Sequence, residues 1–283
     1  MNKYLIINAD DFGICSETNK AIKELFLNKK ITSTSLLANA EAAQEAIAIA
    51  KELNISVGVH LTLNSDFEKA PWKAMIEKSS LSIDGFLPYD TQKIAQGALS
   101  ADVTRECQEQ IEYILKSGVD LDHLDNHSGT MYGINKRLFF INAFKLSKKY
   151  KLPFRFPKQN DFLKDFFNNE IPSVIKLAHK IIVFIAKMMK VTLVDNMISN
   201  PYSISEINGY KSLEDYYLNA IYNLKEGVTE LLLHPSYHSP TLSQYTKEWK
   251  KREYELELLF SQKFEDAIKN HGVKLISYKD IKK

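Results

Sequence analysis

Tyr4-Leu5-Ile6-Ile7-Asn8-Ala9-Asp10-Asp11-Phe12-Gly13 sets an apolar run against two adjacent carboxylates and then a glycine. A short apolar run bounded by turn chemistry reads as a buried strand, and strands of this kind belong to parallel sheets covered by helices. Outward from it the pattern recurs. Strands are expected at residues 4–8, 31–38, 56–63, 120–125, 153–156, 192–198, 229–234 and 274–278. Between them, residues 17–27, 42–53, 101–116, 136–150, 213–224 and 245–267 carry apolar positions at helical spacing. The alternation predicts an α/β fold, a TIM-barrel-like (β/α) barrel that need not be regular, built as a single domain over residues 1–283. Residues 64–100 and 157–169 break the alternation and are expected as loop insertions over the carboxyl-end face, the first as a wall or lid for a substrate.

Composition narrows the partners. Lys and Arg number 37 against 35 Asp and Glu, a net of +2, so no strong field favours nucleic acid or an anionic membrane, and a small molecule is the expected partner. Cys15 and Cys107 form no C-x-x-C pair, which fits a reducing compartment, and no export signal is read at the start, so the expected location is cytoplasmic. The apolar stretch 171–194 contains Lys176, His179, Lys180, Lys187 and Lys190, which makes it an amphipathic helix, packed on the core or against another subunit, rather than a membrane span.

Chemistry-bearing residues gather at the carboxyl ends of the expected strands. Asp10 and Asp11 follow the first, His60 lies near the end of the third, Asp125 and His127 close the fourth, Arg155 sits in the fifth and His234 closes the seventh. In a parallel barrel those ends share one rim. Taken singly each has a plain structural reading: the acids as a helix-capping turn, His60 as a hydrogen-bonded core histidine, Arg155 as a snorkelling or paired cation. His123, Asp125 and His127 are spaced to share a strand face, and Asp125 or a backbone carbonyl is a ready partner for a metal-binding imidazole. His234, ahead of Pro235, offers a group that titrates near neutrality. His179, His238 and His271 lack such settings, Cys107 reads as core, and Cys15 as a small buried thiol.

The residues 5–13, Gly58-Val59-His60-Leu61-Thr62, His123-Leu124-Asp125-Asn126-His127, Pro153-Phe154-Arg155 and the run from Glu230 to His234-Pro235 occur in the order seen in YdjC-type carbohydrate deacetylases, and the chain resembles that family from Asp10 to Pro235. The resemblance implies a TIM-barrel-like fold, a divalent metal, with zinc and magnesium foremost, and removal of an acetyl group from an N-acetylated sugar such as a chito-oligosaccharide. It implies Asp11, His60 and His127 as metal ligands, Asp10 as base, His234 as general acid and Arg155 as the group that orients or balances Asp10. It also implies a homodimer, and leaves His123 without a definite role. The chain departs from the family at Ser128-Gly129-Thr130-Met131, where further histidines are common. Two other readings stay open: a metallohydrolase of another amide or a phosphoester, and a catalytically weakened sugar-binding protein.

Overall fold

The structure, a computed structural model, describes residues 2–133 and 136–282. Its strands are β1 Lys3–Phe12, β2 Ser33–Leu36, β3 Val57–Leu61, β4 Leu121–Asn126, β5 Asn196–Ile198, β6 Gly227–Leu233 and β7 Val273–Leu275. Its helices are α1 Ser16–Leu27, α2 Ala43–Glu52, α3 Thr91–Gly97, α4 Ser100–Lys116, α5 Phe140–Tyr150, α6 Leu163–Phe166, α7 Ser173–Met189, α8 Gly209–Tyr222, α9 Pro240–Tyr245, α10 Trp249–Phe260 and α11 Gln262–Asn270. The strands form a parallel sheet in the order β4-β3-β2-β1-β6-β5, curled into a half-barrel of six, with β7 beside the first part of β1. No helix among the described residues is long and apolar enough to cross a membrane.

Alternation along β1 decides where the core lies. Leu5, Ile7 and Ala9 join the main apolar cluster, which includes Ala21, Ile22 and Leu25 of α1, whereas Ile6 packs with Val194 and Tyr278 on the other side. Each buried Leu or Ile contributes about 1.5–3 kcal/mol, so the helix-covered side holds the sheet together. That leaves the concave side free to carry polar residues.

Eight strands were expected and seven form among the described residues. Residues 153–156 make only an isolated bridge, Leu124 with Phe154. Pro153 and Pro157 have no N–H to give to a ladder, which keeps this segment from becoming a regular strand. It still links the sheet edges: Leu124 N donates to Pro153 O, Arg155 N to Leu124 O, Phe154 N to Thr192 O and Lys158 N to Val194 O, all at 2.9–3.0 Å. The strand expected at 192–198 is regular only at its end, as β5. A complete eight-stranded barrel is therefore replaced by a curled sheet with an irregular span.

The helices follow the expected periodicity with shifted ends, and the long one expected at 245–267 divides at Ser261 into α10 and α11. The insertion at 64–100 is not wholly loop, since it contains α3. That at 157–169 carries the single turn of α6.

Candidate metal centre

The ends of β1, β3 and β4 converge on one cleft of about 650 Å³, lined by Asp10, Asp11, His60, His127, Arg155 and His234 among others. Its shape begins with a fault in β1. Pairing with β2 loses register between Ala9 and Phe12, and Asp11 takes φ 65°, a left-handed conformation costly for a residue with a Cβ. Such a bulge re-aims side chains, and here both neighbouring carboxylates line the cleft instead of alternating across the strand.

Asp11 Oδ1 lies 3.4 Å from His60 Nε2 and 3.2 Å from His127 Nδ1, is buried, and accepts no hydrogen bond. Each imidazole uses its other nitrogen elsewhere: His60 Nδ1 donates to Asp125 Oδ1 at 2.7 Å and His127 Nε2 to Asp66 Oδ1 at 2.8 Å. Those bonds leave His60 Nε2 and His127 Nδ1 facing the Asp11 carboxylate oxygen. All three atoms lie within 4.8 Å of each other. One carboxylate with two imidazoles is a donor set suited to zinc and its neighbours. The residues thus fit a divalent metal. A second grouping, Asp10, His60 and Asp125, meets the same distance test, but both its acids are already paired with Arg155.

Electrostatics agrees with the geometry. Burial opposes a charge on His60, yet the Asp125, Asp11 and Asp10 carboxylates outweigh it and push its pKa up to about 9. His127, buried but facing Asp66 and Asp11, is pushed up to about 10. Asp11 is held well below the usual carboxylate range, since Arg252 and the two imidazoles overcome its burial. A pocket that favours positive charge this strongly takes up either protons or a metal ion.

Beside these three residues lies Asp10. Arg155 grips it through two bonds of 2.6 and 2.7 Å, and the same guanidinium meets Asp125 at 2.8 Å and Glu230 at 2.8 Å. Burial would raise the Asp10 pKa, but Arg155 and His60 prevail and lower it. His234 Nε2 is 3.9 Å from Asp10 Oδ2, with 35% of its side chain exposed. Desolvation lowers its pKa despite the nearby Asp11 and Asp10.

Below the cleft the concave side is polar. His123 Nδ1 donates to Asp122 at 2.7 Å, its ring stacks on Tyr278 at 3.8 Å, and the Tyr278 hydroxyl donates to Glu230. Room for the His123 ring comes from Gly58, where an added Cβ would stand 2.1 Å from His123 Cε1.

Residues 4–270 match the family model described as YdjC-like protein. The chain belongs to the YdjC-like family. Among YdjC-like relatives, a carbohydrate deacetylase of Thermoanaerobacter pseudethanolicus is 28% identical over 285 residues, covering 99% of this chain and 100% of its own. One from Geobacillus stearothermophilus is 26% identical and covers 100% of both chains. A solved structure from Enterococcus faecalis, given the working name of a cellobiose-phosphate cleavage protein, superposes with a TM-score of 0.79 at 26% identity, covering 100% of both chains.

The structure brings together all six residues singled out from the sequence, with Asp11, His60 and His127 facing one another and Asp10, Arg155 and His234 alongside. His179, His238 and His271 lie elsewhere: His179 donates to Pro157 O, His238 packs on Trp249 and His271 on Tyr222. Three participants were not singled out. Asp66 lies in the insertion after β3, where no periodicity marks it. Arg252 reaches Asp11 Oδ2 at 2.7 Å, and Glu255 accepts from the His234 backbone N–H at 2.7 Å. Both lie on the inward face of α10, at a three-residue spacing beside buried Leu256 and Leu259, and that setting of opposite charges on an apolar face was the available signal. At the departure from the family pattern, Ser128 and Gly129 line the cleft with φ of 52° and 61°, while Thr130 and Met131 are buried.

Proposed function

We propose that this YdjC-like protein removes an acetyl group from an N-acetylated sugar, with a chito-oligosaccharide as the leading substrate, and that it does so with a divalent metal held by Asp11, His60 and His127. The observation that carries the reading is the buried Asp11 Oδ1, without a hydrogen-bond partner, facing two imidazoles whose other nitrogens are held by Asp125 and Asp66, with an acid and a histidine at its edge. The names of the carbohydrate deacetylase relatives support the substrate class. So does the cleft wall, where Tyr132, Phe162, Phe166 and Tyr245 offer apolar faces for a sugar ring. A bound divalent ion would supply positive charge that polarises the acetyl carbonyl and acidifies a water molecule.

The chain's own groups then move the protons. Arg155 keeps Asp10 ionised and fixes its plane, so that Asp10 can take a proton from an attacking water. Its lowered pKa makes it a poor final holder of that proton. His234, 3.9 Å away at the open edge of the cleft, is placed to pass a proton on toward the leaving amine. Glu255 steadies His234 through its backbone N–H.

The test is acetate release from N-acetylglucosamine oligomers, beside a phosphatase assay, with metal-stripped and metal-reloaded protein. Activity is expected only on the acetylated sugar and only with metal. Asp10→Asn is expected to keep the metal and lose about 10²–10⁴ in kcat. Full activity in that variant, or turnover of the phosphoester alone, would overturn the reading.

A further inference from the structure

The two carboxylate oxygens of Asp11 have opposite surroundings. Oδ1 is buried without a hydrogen-bond partner and faces His60 Nε2 at 3.4 Å and His127 Nδ1 at 3.2 Å. Oδ2 is held by Arg252 Nη2 at 2.7 Å. Arg252 is 8% exposed, and Asp66 and Glu255 lie near enough to stabilise its charge, so a cation is fixed permanently behind this oxygen. The helix that carries it is anchored on several sides. Leu256, Leu258 and Leu259 of α10 enter the main core, Arg252 O accepts from Ser236 N at 3.3 Å, and the Tyr217 hydroxyl donates to Glu255 at 3.1 Å.

This partner has the opposite sign to those behind the imidazoles. Asp125 and Asp66 accept from His60 and His127, which makes those rings better donors to a cation. A guanidinium does the reverse to a carboxylate: it draws off electron density, and its charge repels a second cation approaching the same oxygen. A carboxylate with both oxygens free can grip a metal through two contacts. One with an oxygen committed to arginine offers a single contact. The difference bears on reactivity, because a catalytic site needs open positions for water and for the acyl oxygen, and a second carboxylate contact would fill one. We propose that Arg252 is a positioning residue that restricts Asp11 to coordination through Oδ1 alone, giving up metal affinity to keep a position open on the ion. The inference rests on the metal reading of the cleft given under the proposed function.

The test compares the whole chain with its Arg252 variants, using competition with a chelating dye for Zn²⁺ and the visible bands of bound Co²⁺, which weaken as the coordination number rises. Partners behind a ligand change metal affinity by about 10–100-fold, and here the loss of a cation sets the sign toward tighter binding. Arg252→Met is therefore expected to hold Zn²⁺ at least about 10-fold more tightly, to show weaker Co²⁺ bands, and to lose at least about 10-fold in kcat with KM little changed. A purely structural brace predicts the reverse for the metal, since a loosened Asp11 would bind it less well. If the Met variant does not fold, Arg252→Gln, which keeps a donor to Oδ2 without the charge, is expected to give the same tightening. Zn²⁺ affinity that is unchanged or weaker in the folded variant, or Co²⁺ bands of wild-type strength in Arg252→Met, would overturn the proposal and leave the metal reading standing. A wild-type chain that takes up neither ion would sink both.

Discussion

Replacing Arg155 by Met removes one cation from three buried acids and leaves a side chain of similar reach. The guanidinium is 3% exposed and contacts Asp10, Asp125 and Glu230 at 2.6–2.8 Å. Without it Glu230 keeps the Tyr278 hydroxyl and Asp125 keeps His60 Nδ1, but Asp10 keeps only the Asn8 amide as a hydrogen-bond donor, at 2.8 Å, with the His60 and His234 rings 3.9 Å away. Asp10 is therefore the acid most exposed to the loss. Its escape is to take up a proton, and holding one at pH 7 on a group whose unfolded pKa is near 3.9 costs about 4 kcal/mol. That matches the ~3–5 kcal/mol for breaking a buried ion pair, and exceeds a quarter of the ~5–15 kcal/mol by which domains are stable. The sign with pH follows. In the parent Asp10 and Asp125 have lowered pKa values, so their contribution is full above the unfolded value and fades as pH falls through the folded one. In the variant Asp10 is raised instead, so stability falls as pH rises above about 4. Urea unfolding of both proteins at pH 7 and pH 4.5 is expected to show a difference of about 4 kcal/mol that shrinks to about 1. A difference under about 1 kcal/mol at pH 7, or one independent of pH, would refute the reasoning. Arg155→Lys, which keeps charge but not the fork, should recover much of the stability and little of the turnover.

Asp66→Asn should leave the fold intact and weaken divalent-metal affinity by about 10–100-fold, measured by competition with a chelating dye, because His127 loses the carboxylate that fixes its tautomer. Gly58→Ala should destabilise by about 1–3 kcal/mol, as the His123 ring is pinned by Asp122 and Tyr278, and adding His123→Ala should recover part of that loss in denaturant titrations. Desolvation holds His179 neutral with its pKa below 6.5, so its contribution is complete above that value and lost as pH drops beneath it. His179→Gln should flatten the dependence of the melting temperature on pH between 5 and 6.5, and an unchanged slope would exclude the histidine as its source.

The strands that could be read from the sequence are those with apolar or β-branched runs: β1, β2, β3, β4 and β6 appear close to where periodicity places them. The span at 153–157 was legible as extended chain but not as an irregular one, although its two prolines hold the reason. That Asp10, Asp11, His60, His127, Arg155 and His234 would meet was legible from their places at strand ends, while the reading of three of them as metal ligands came from the family resemblance. What stayed hidden depends on side-chain direction across long separations: the fault at Asp11, the reach of Asp66 from a loop without pattern, and the arrival of Arg252 and Glu255 from a helix 240 residues downstream of Asp11. No local spacing encodes those meetings.

The pairing of β1 has a consequence for synthesis. Lys3–Ala9 of this strand bond to Gly227–Leu233, and Lys3–Leu5 also to Val273–Leu275. At ~5–20 residues per second a ribosome needs roughly ten to forty seconds between the first partner and the second. For that time an apolar segment with bare N–H and C=O groups waits in the cell, a template for any passing strand. Output of the native protein should thus depend on whatever shields nascent chains, more steeply than the stability of the finished molecule would suggest.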